Sequence, residues 1–177
     1  WVLCLDADEV LSQELSEEIK IFLNSNNNET HQAVEFPRKV FFMGRWIAHG
    51  DWYPDFSLRL FNRNEVNWSE DRVHEKVICS SRPHRMNSDL LHYSNPSITD
   101  QIQKMIPFSD MFLEQQLQKG KRWSLFQTLF RPWWRFVRCY LIKCGFLDGF
   151  PGFYIACVTY FSTLVRYTRL YEQEQTK

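Results

Sequence analysis

Apolar residues recur along the first half of this chain with two different periods. The apolar run Trp1-Val2-Leu3-Cys4-Leu5 stops at Asp6, and Leu15, Ile19, Phe22 and Leu23 then fall at the i, i+4, i+7, i+8 spacing of one helical face. Ser12 stands where a helix of that phase needs its N-cap, and the polar run 24–30 ends it. Val34, Phe36, Val40 and Phe42 lie at even spacings interrupted at Pro37-Arg38, and Ser57-Leu58-Arg59-Leu60-Phe61 alternates polar with apolar; both segments predict strands. Residues 73–78 and 90–93 predict two further short strands, separated by the turn-prone segment 80–89. Ser97-Ile98-Thr99-Asp100 has the form of a capping box at the head of a helix running toward Gly120, with Pro107 predicted to kink or break it. From Trp123 onward the pattern is aromatic, basic and helical, with breaks near Gly145 and at Gly149-Phe150-Pro151-Gly152.

Strand, acidic turn and helix in that order predict an α/β fold. The turn carries the first candidate chemistry. Asp6 and Asp8, one residue apart at the end of a strand, point their carboxylates to the same side, where a hard divalent cation offsets their repulsion. The competing reading is an acidic turn that only caps the next helix. Residues 44–55 form an aromatic loop too long for a hairpin turn, the kind of loop that often carries function. Trp46, Trp52, Tyr53 and Trp68 either stack on a flat-faced ligand or fill the core.

Length and composition change this picture only at the C-terminal end. The 177 residues, 44% of them hydrophobic, amount to about one domain with a buried core, and a formal charge of zero gives no argument for nucleic acid. The charge is unevenly placed. Between Glu114 and Asp148 there is no acidic residue, while Lys119, Lys121, Arg122, Arg131, Arg135, Arg138 and Lys143 are interleaved with tryptophan and phenylalanine. That segment suits a monotopic contact with an anionic membrane surface, or an ordinary amphipathic helix closing the domain. The uncharged stretch 150–165 falls short of the roughly 20 apolar residues of a spanning helix. Five cysteines without a C-x-x-C pair suggest neither a zinc site nor a disulfide framework, and point to a reducing, cytoplasmic setting. The short opening apolar run lacks the basic leader of a signal peptide.

Five segments, taken in order, resemble glycosyltransferase family 2, with its GT-A fold, and within it the lipopolysaccharide-core glucosyltransferase-like group. They are WVLCLDADEVLSQEL with its D-x-D, HGDWYPDFSLRLFNR, VHEKV, LLHYSNPS and GFLDGFPGFYIACVTYF. The resemblance implies a partial GT-A fold, with a mixed sheet and C-terminal amphipathic helices. In that family the D-x-D follows about three strand-helix units that bind the nucleotide, so the chain looks like the acceptor-side and C-terminal portion of a longer enzyme. Residues 1–118 would be the catalytic part and 119–177 a basic, aromatic, membrane-proximal tail.

The activity implied is inverting transfer of a sugar from a nucleotide-sugar donor to a glycan acceptor, either lipopolysaccharide or lipooligosaccharide core or another lipid-linked glycan, at the cytoplasmic face of the inner membrane. By likeness, Asp8 is the first metal ligand, Asp6 lies nearer the donor ribose or a metal-bound water, and His92 supplies a further contact to Mg2+ or Mn2+. Glu75 is the base that takes the proton of the acceptor hydroxyl, with Glu70-Asp71 a competing pair. His49, Gly50, Trp52, Asp55, Arg59 and His74 are placed near the acceptor. Two rival readings remain. Asp6-Ala7-Asp8-Glu9-Val10 also resembles the opening of the haloacid dehalogenase phosphatases, with Asp6 as nucleophile. A non-catalytic membrane-surface binding module is the other.

Overall fold

The computed structural model describes residues 1–68, 77–94 and 97–176. It divides into two compact units, Trp1–Trp46 with Trp52–Ser94, and Ile47–Asp51 with Asn95–Lys177. The architecture is mixed α/β, as the alternation of periods predicts.

The first unit opens with strands β1 (Val2–Leu3) and β2 (Glu9–Leu11), helices α1 (Gln13–Leu23) and α2 (Asn27–Thr30), and strand β3 (Ala33–Phe42). Strands β4 (Arg45–Trp46), β5 (Asp55–Phe61), β6 (Asn67–Trp68), β7 (Val77–Ile78), β8 (His84–Arg85) and β9 (Leu90–His92) follow. The Ser12 hydroxyl caps α1, accepting from the Leu15 amide at 3.0 Å. The main sheet runs β1-β5-β3-β9-β2, with β4 and β8 also on β3. Strand β3 is antiparallel to β5 and parallel to β8 and β9. Pro37 lies between the residues of β3 that pair with β8 (Val34, Glu35) and those that pair with β9 (Arg38 to Val40), where a missing N–H removes no bond from either ladder.

One face of the sheet packs on α1. Leu15, Ile19 and Phe22 are buried with Val34, Phe36, Leu60, Met86 and Leu90. Glu18 fixes the helix to the 86–89 turn, accepting from the Asn87 and Ser88 amides at 2.9 and 2.8 Å. Burial raises the Glu18 pKa, but these bonds outweigh it and hold the carboxyl below its ordinary value.

Two sequence expectations in this unit are corrected. Strict alternation along Ser57–Phe61 puts Leu58 and Leu60 on one face, yet Leu60 joins the α1 core while Leu58 packs with Ala33, Phe61 and Val66. The register explains it: Val34 pairs with Leu60 and Glu35 with Leu58, so Arg59 is the extra residue of a β-bulge. The expected long loop at 44–55 begins instead with a tight hairpin. Met43 and Gly44, at φ 47 and 80, turn the chain so that Phe42 pairs with Arg45. The expected strand at 73–78 is described only at Val77–Ile78, which pairs with Asn67–Trp68.

The second unit is helical: α3 (Ile98–Gln118), α4 (Leu125–Val137), a π-turn and a 3₁₀ turn, then α5 (Gly149–Gln175). Ser97 and Asp100 form the capping box. Helix α3 continues through Pro107 rather than ending there; Pro107 is exposed, as is Gln103, whose carbonyl lacks the proline N–H one turn on. The Gly-rich first turn of α5 permits a close backbone approach. A Cβ on Gly152 would sit 1.9 Å from the Gly145 carbonyl oxygen. No single helix among the described residues is long and apolar enough to cross a membrane; Leu125–Ile142 and Gly145–Gln175, bent by 70°, meet that test only as a pair.

Candidate functional site

The acidic turn is held from both ends. The Glu9 amide donates to the Asp6 carbonyl at 3.0 Å, and Glu9 Oε2 accepts from the Asp6 amide at 3.1 Å. The Glu9 side chain is fully buried. Its charge is met by Arg59, whose Nη2 donates to Glu9 Oε1 at 2.8 Å and also to Asp6 Oδ2. The bulge at Arg59 delivers this: the extra residue redirects the side chain toward the turn, while its carbonyl accepts from the Cys4 amide at 2.8 Å. Burial works against the Arg59 charge, but the bonds to Glu9 and Asp6 prevail and raise its pKa. Arg38 continues the network, with Nη1 at 3.5 Å from Glu9 and Nε donating to Asp55 at 3.1 Å.

Asp8 stands apart from this network. Strands β2 and β9 pair Glu9 with His92, and the Tyr93 amide donates to the Asp8 carbonyl at 2.8 Å, so the end of this ladder sets Asp8 beside His92. His92 Nε2 is 3.1 Å from Asp8 Oδ2. The His92 side chain is mostly buried, its Nδ1 without a partner, while the Asp8 side chain is 45% exposed. A buried imidazole beside a solvent-facing carboxylate is a mixed N/O donor pair. Next to it Phe41, Trp46 and Tyr93 pack together, with Trp46 and Tyr93 centroids 5.0 Å apart.

The structure therefore brings Asp8 and His92 together and turns Asp6 to Arg59. Among the described residues no group of three His, Cys, Asp or Glu side chains is close enough to hold a metal ion. Two donors, one of them an imidazole, are too few to hold a cation by themselves, so any ion there would draw its remaining ligands from water or substrate.

The acceptor candidates separate. Asp55 and Arg59 belong to the charge network of the first unit, and Trp52 packs on Phe42 at 5.1 Å. Tyr53 donates to Asp89 at 2.7 Å, and burial followed by that bond pushes its pKa up to about 12. His49 and Gly50 lie in the second unit. Asp148, 1% exposed, accepts from the Ala48 and His49 amides at 3.1 and 2.8 Å and lies 3.1 Å from His49 Nδ1. The Gly50 amide donates to the Lys143 carbonyl at 3.0 Å. These contacts bind 47–51 to the helices of its own unit. Glu75, His74 and the Glu70-Asp71 pair, which sequence reading also placed at the site, lie outside the described residues. Sequence reasoning missed Arg38, Tyr93 and the role of Glu9. The available signal was a Pro-Arg-Lys run inside an otherwise apolar strand, since charges held there need partners.

With this geometry in view, the relatives become informative. The chain is similar to curated bacterial glycosyltransferases. An uncharacterised glycosyltransferase of Rickettsia typhi is 26% identical over 181 residues, covering 97% of this chain and 62% of the relative. One from Rickettsia prowazekii is 28% identical over 179 residues, covering 96% and 61%. The lipopolysaccharide core biosynthesis glycosyltransferase LpsC of Rhizobium meliloti is 27% identical over 156 residues, covering 85% and 57%. The chain thus spans about three fifths of the length of the relatives it matches. No family model matches the chain. No solved structure matches it either.

Proposed function

We propose that this chain is the acceptor-side and C-terminal part of an inverting family 2 glycosyltransferase of GT-A type, which moves a sugar from a nucleotide-sugar donor to lipopolysaccharide core or another lipid-linked glycan. The observation that carries the reading is the Asp8–His92 pair at 3.1 Å, formed by residues 84 positions apart, together with relatives named glycosyltransferases. Asp8 and His92 would hold Mg2+ or Mn2+, which when bound neutralises charge on the departing diphosphate.

The chain's own residues do the rest. The Arg59 and Glu9 clamp holds the turn in one conformation, so that Asp8 meets the donor without reorganisation. Glu75 takes the proton of the attacking acceptor hydroxyl. A single displacement needs one such base and forms no covalent sugar intermediate, and a positioned base contributes typically about 10²–10⁴-fold. Asp6, in this reading, serves the donor side through its pairing with Arg59. The place of work is the cytoplasmic face of the inner membrane.

The test uses the full-length protein with a panel of nucleotide sugars and extracted core acceptor. Asp8→Ala and Glu75→Ala each lose transfer by about 10²-fold or more while the thermal midpoint is kept. Unchanged turnover in either variant removes the reading. Release of phosphate from simple esters, with covalent labelling of Asp6, would establish the phosphatase rival.

A further inference from the structure

Helix α4 carries its apolar side outward. At about 100° per residue, Leu125, Phe126, Leu129, Phe130, Trp133 and Trp134 fall on one half of the helix, and all six are 47–70% exposed. The residues that α4 buries are Thr128 and Pro132. A helix that closes a water-soluble domain turns its apolar face the other way. The surface continues beyond α4. Trp133 stacks on Phe136 with centroids 6.1 Å apart, Phe136 meets Tyr140 at 5.6 Å, and Tyr140 meets Phe146 and Phe153, at the joint with α5, at 6.2 and 5.7 Å. To the side, Trp133 and Phe136 line an open apolar groove of about 670 Å³ with Ile98 and Ile102 of α3, which are 44% and 55% exposed. Contiguous apolar surface of this extent marks a site of interaction.

Charge around this surface has one sign. Residues 115–171 hold nine lysines and arginines and a single acid, Asp148, which is 1% exposed and bonded to the Ala48 and His49 amides. Asp51, shared by Arg135, Arg138 and Lys143 at 3.3, 2.8 and 3.2 Å, is itself buried. Lys119, Lys121 and Arg122, all exposed, stand within six residues of Leu125 at the head of α4, and Arg131 is exposed outside its apolar half. The cations therefore border the apolar surface and do not interrupt it.

We propose that the helical unit sits in one leaflet of an anionic bilayer, with α4 parallel to the surface, its Leu125–Trp134 face and the joint with α5 at the depth of the acyl boundary, and the bordering lysines and arginines among the headgroups. Charge complementarity selects this occupant. An anionic bilayer meets both the apolar half and the cationic border, whereas a second copy docked face to face brings the same cations together with no exposed carboxylate between 115 and 171 to pair them. The parallel placement follows from the spread of the six apolar residues along α4 from its first residue, since a helix entering end-on would gather them at one end. The proposal rests on the membrane-side place of work in the preceding reading and deepens it by naming the face. Its test reads binding, so loss of transfer and loss of this contact are told apart.

The probes are vesicles of phosphatidylcholine alone and vesicles with about a quarter phosphatidylglycerol, mixed with the full-length protein and separated by flotation. The anionic vesicles are expected to bind at least about tenfold more tightly. Phe126→Gln with Phe130→Gln, at two exposed rings stacked 5.3 Å apart, weakens that binding by about tenfold or more and keeps the thermal midpoint. Lys121→Gln with Arg122→Gln lowers affinity for the anionic vesicles by on the order of fivefold per cation. No vesicle binding, equal affinity for the two vesicle types, or a Phe126→Gln, Phe130→Gln protein that binds as the unaltered one does overturns the proposal. A dimer seen by light scattering without vesicles, and split by the same two phenylalanine substitutions, assigns the face to a second copy and also overturns it. Should the variants unfold, tryptophan quenching by brominated lipids on the unaltered protein decides. Bromines near the headgroup end of the acyl chain are expected to quench more than bromines near its tip, and absent quenching or the reverse order contradicts the shallow placement.

Discussion

The two units treat charge in opposite ways. In the first, carboxylates and guanidinium groups alternate in one chain, Asp6 to Arg59 to Glu9 to Arg38 to Asp55, so every charge in that network has a partner while Asp8 stands outside it beside His92. In the second, Asp110 and Arg169 form one matched pair at 2.5 Å, but Asp51 is shared by three cations, and two more arginines have ring faces for neighbours instead of carboxylates. Matched charge fixes a loop in place. The first arrangement suits a turn that presents Asp8 in one geometry, and the second leaves several guanidinium groups without a carboxylate of their own.

The largest expected effect breaks the matched side. Glu9→Ala removes a fully buried carboxylate and leaves Arg59 and Arg38 undercompensated, at a cost of about 3 kcal/mol or more in stability. Chemical denaturation should show this, and transfer by the full-length protein should fall with it because the turn is released. Second is Gly152→Ala, which tests the helical unit without touching charge. Its Cβ would collide with the Gly145 carbonyl, so about 2 to 3 kcal/mol is expected, read as a lower thermal midpoint.

The smallest effect falls on the surplus side. Asp51→Asn costs about 1 to 2 kcal/mol, because the three cations it leaves are 34–41% exposed and regain water. Burial raises the Asp51 pKa, but Arg138, Arg135 and Lys143 outweigh it and hold it below its ordinary 3.8. A lowered carboxylate pKa contributes stability that is present above the unfolded value and lost as pH falls through the folded one. The gap in midpoint between the unaltered protein and Asp51→Asn should therefore be constant above about pH 5 and narrow in acid below 3.8. A constant gap down to pH 2 would show that Asp51 acts by packing.

Much of the fold was legible because its signals are local. The Ser12 cap and the Ser97–Asp100 box depend on residues three apart, and the α1 face on a period of 3.6. The Met43-Gly44 hairpin escaped notice because methionine is not a residue that announces a positive φ, although Gly44 beside it does. The bulge at Arg59 could not be read at all. It depends on which residue of a distant strand lies opposite, and the alternation from Phe56 to Leu60 runs through Arg59 without a break. That one residue decides where Arg59 points, and hence that Asp6 joins Arg59 while Asp8 faces His92. Asp8 and His92 were legible through resemblance, and their pairing is now explained by the β2–β9 register.

The most direct test of the site is Mn2+ titration of the full-length protein in the presence of a nucleoside diphosphate, read by electron paramagnetic resonance. Asp8→Asn and His92→Ala should each weaken Mn2+ binding by at least about tenfold, while Asp6→Asn weakens it far less. Equal Mn2+ affinity in the unaltered protein and in Asp8→Asn would contradict the assignment of the pair.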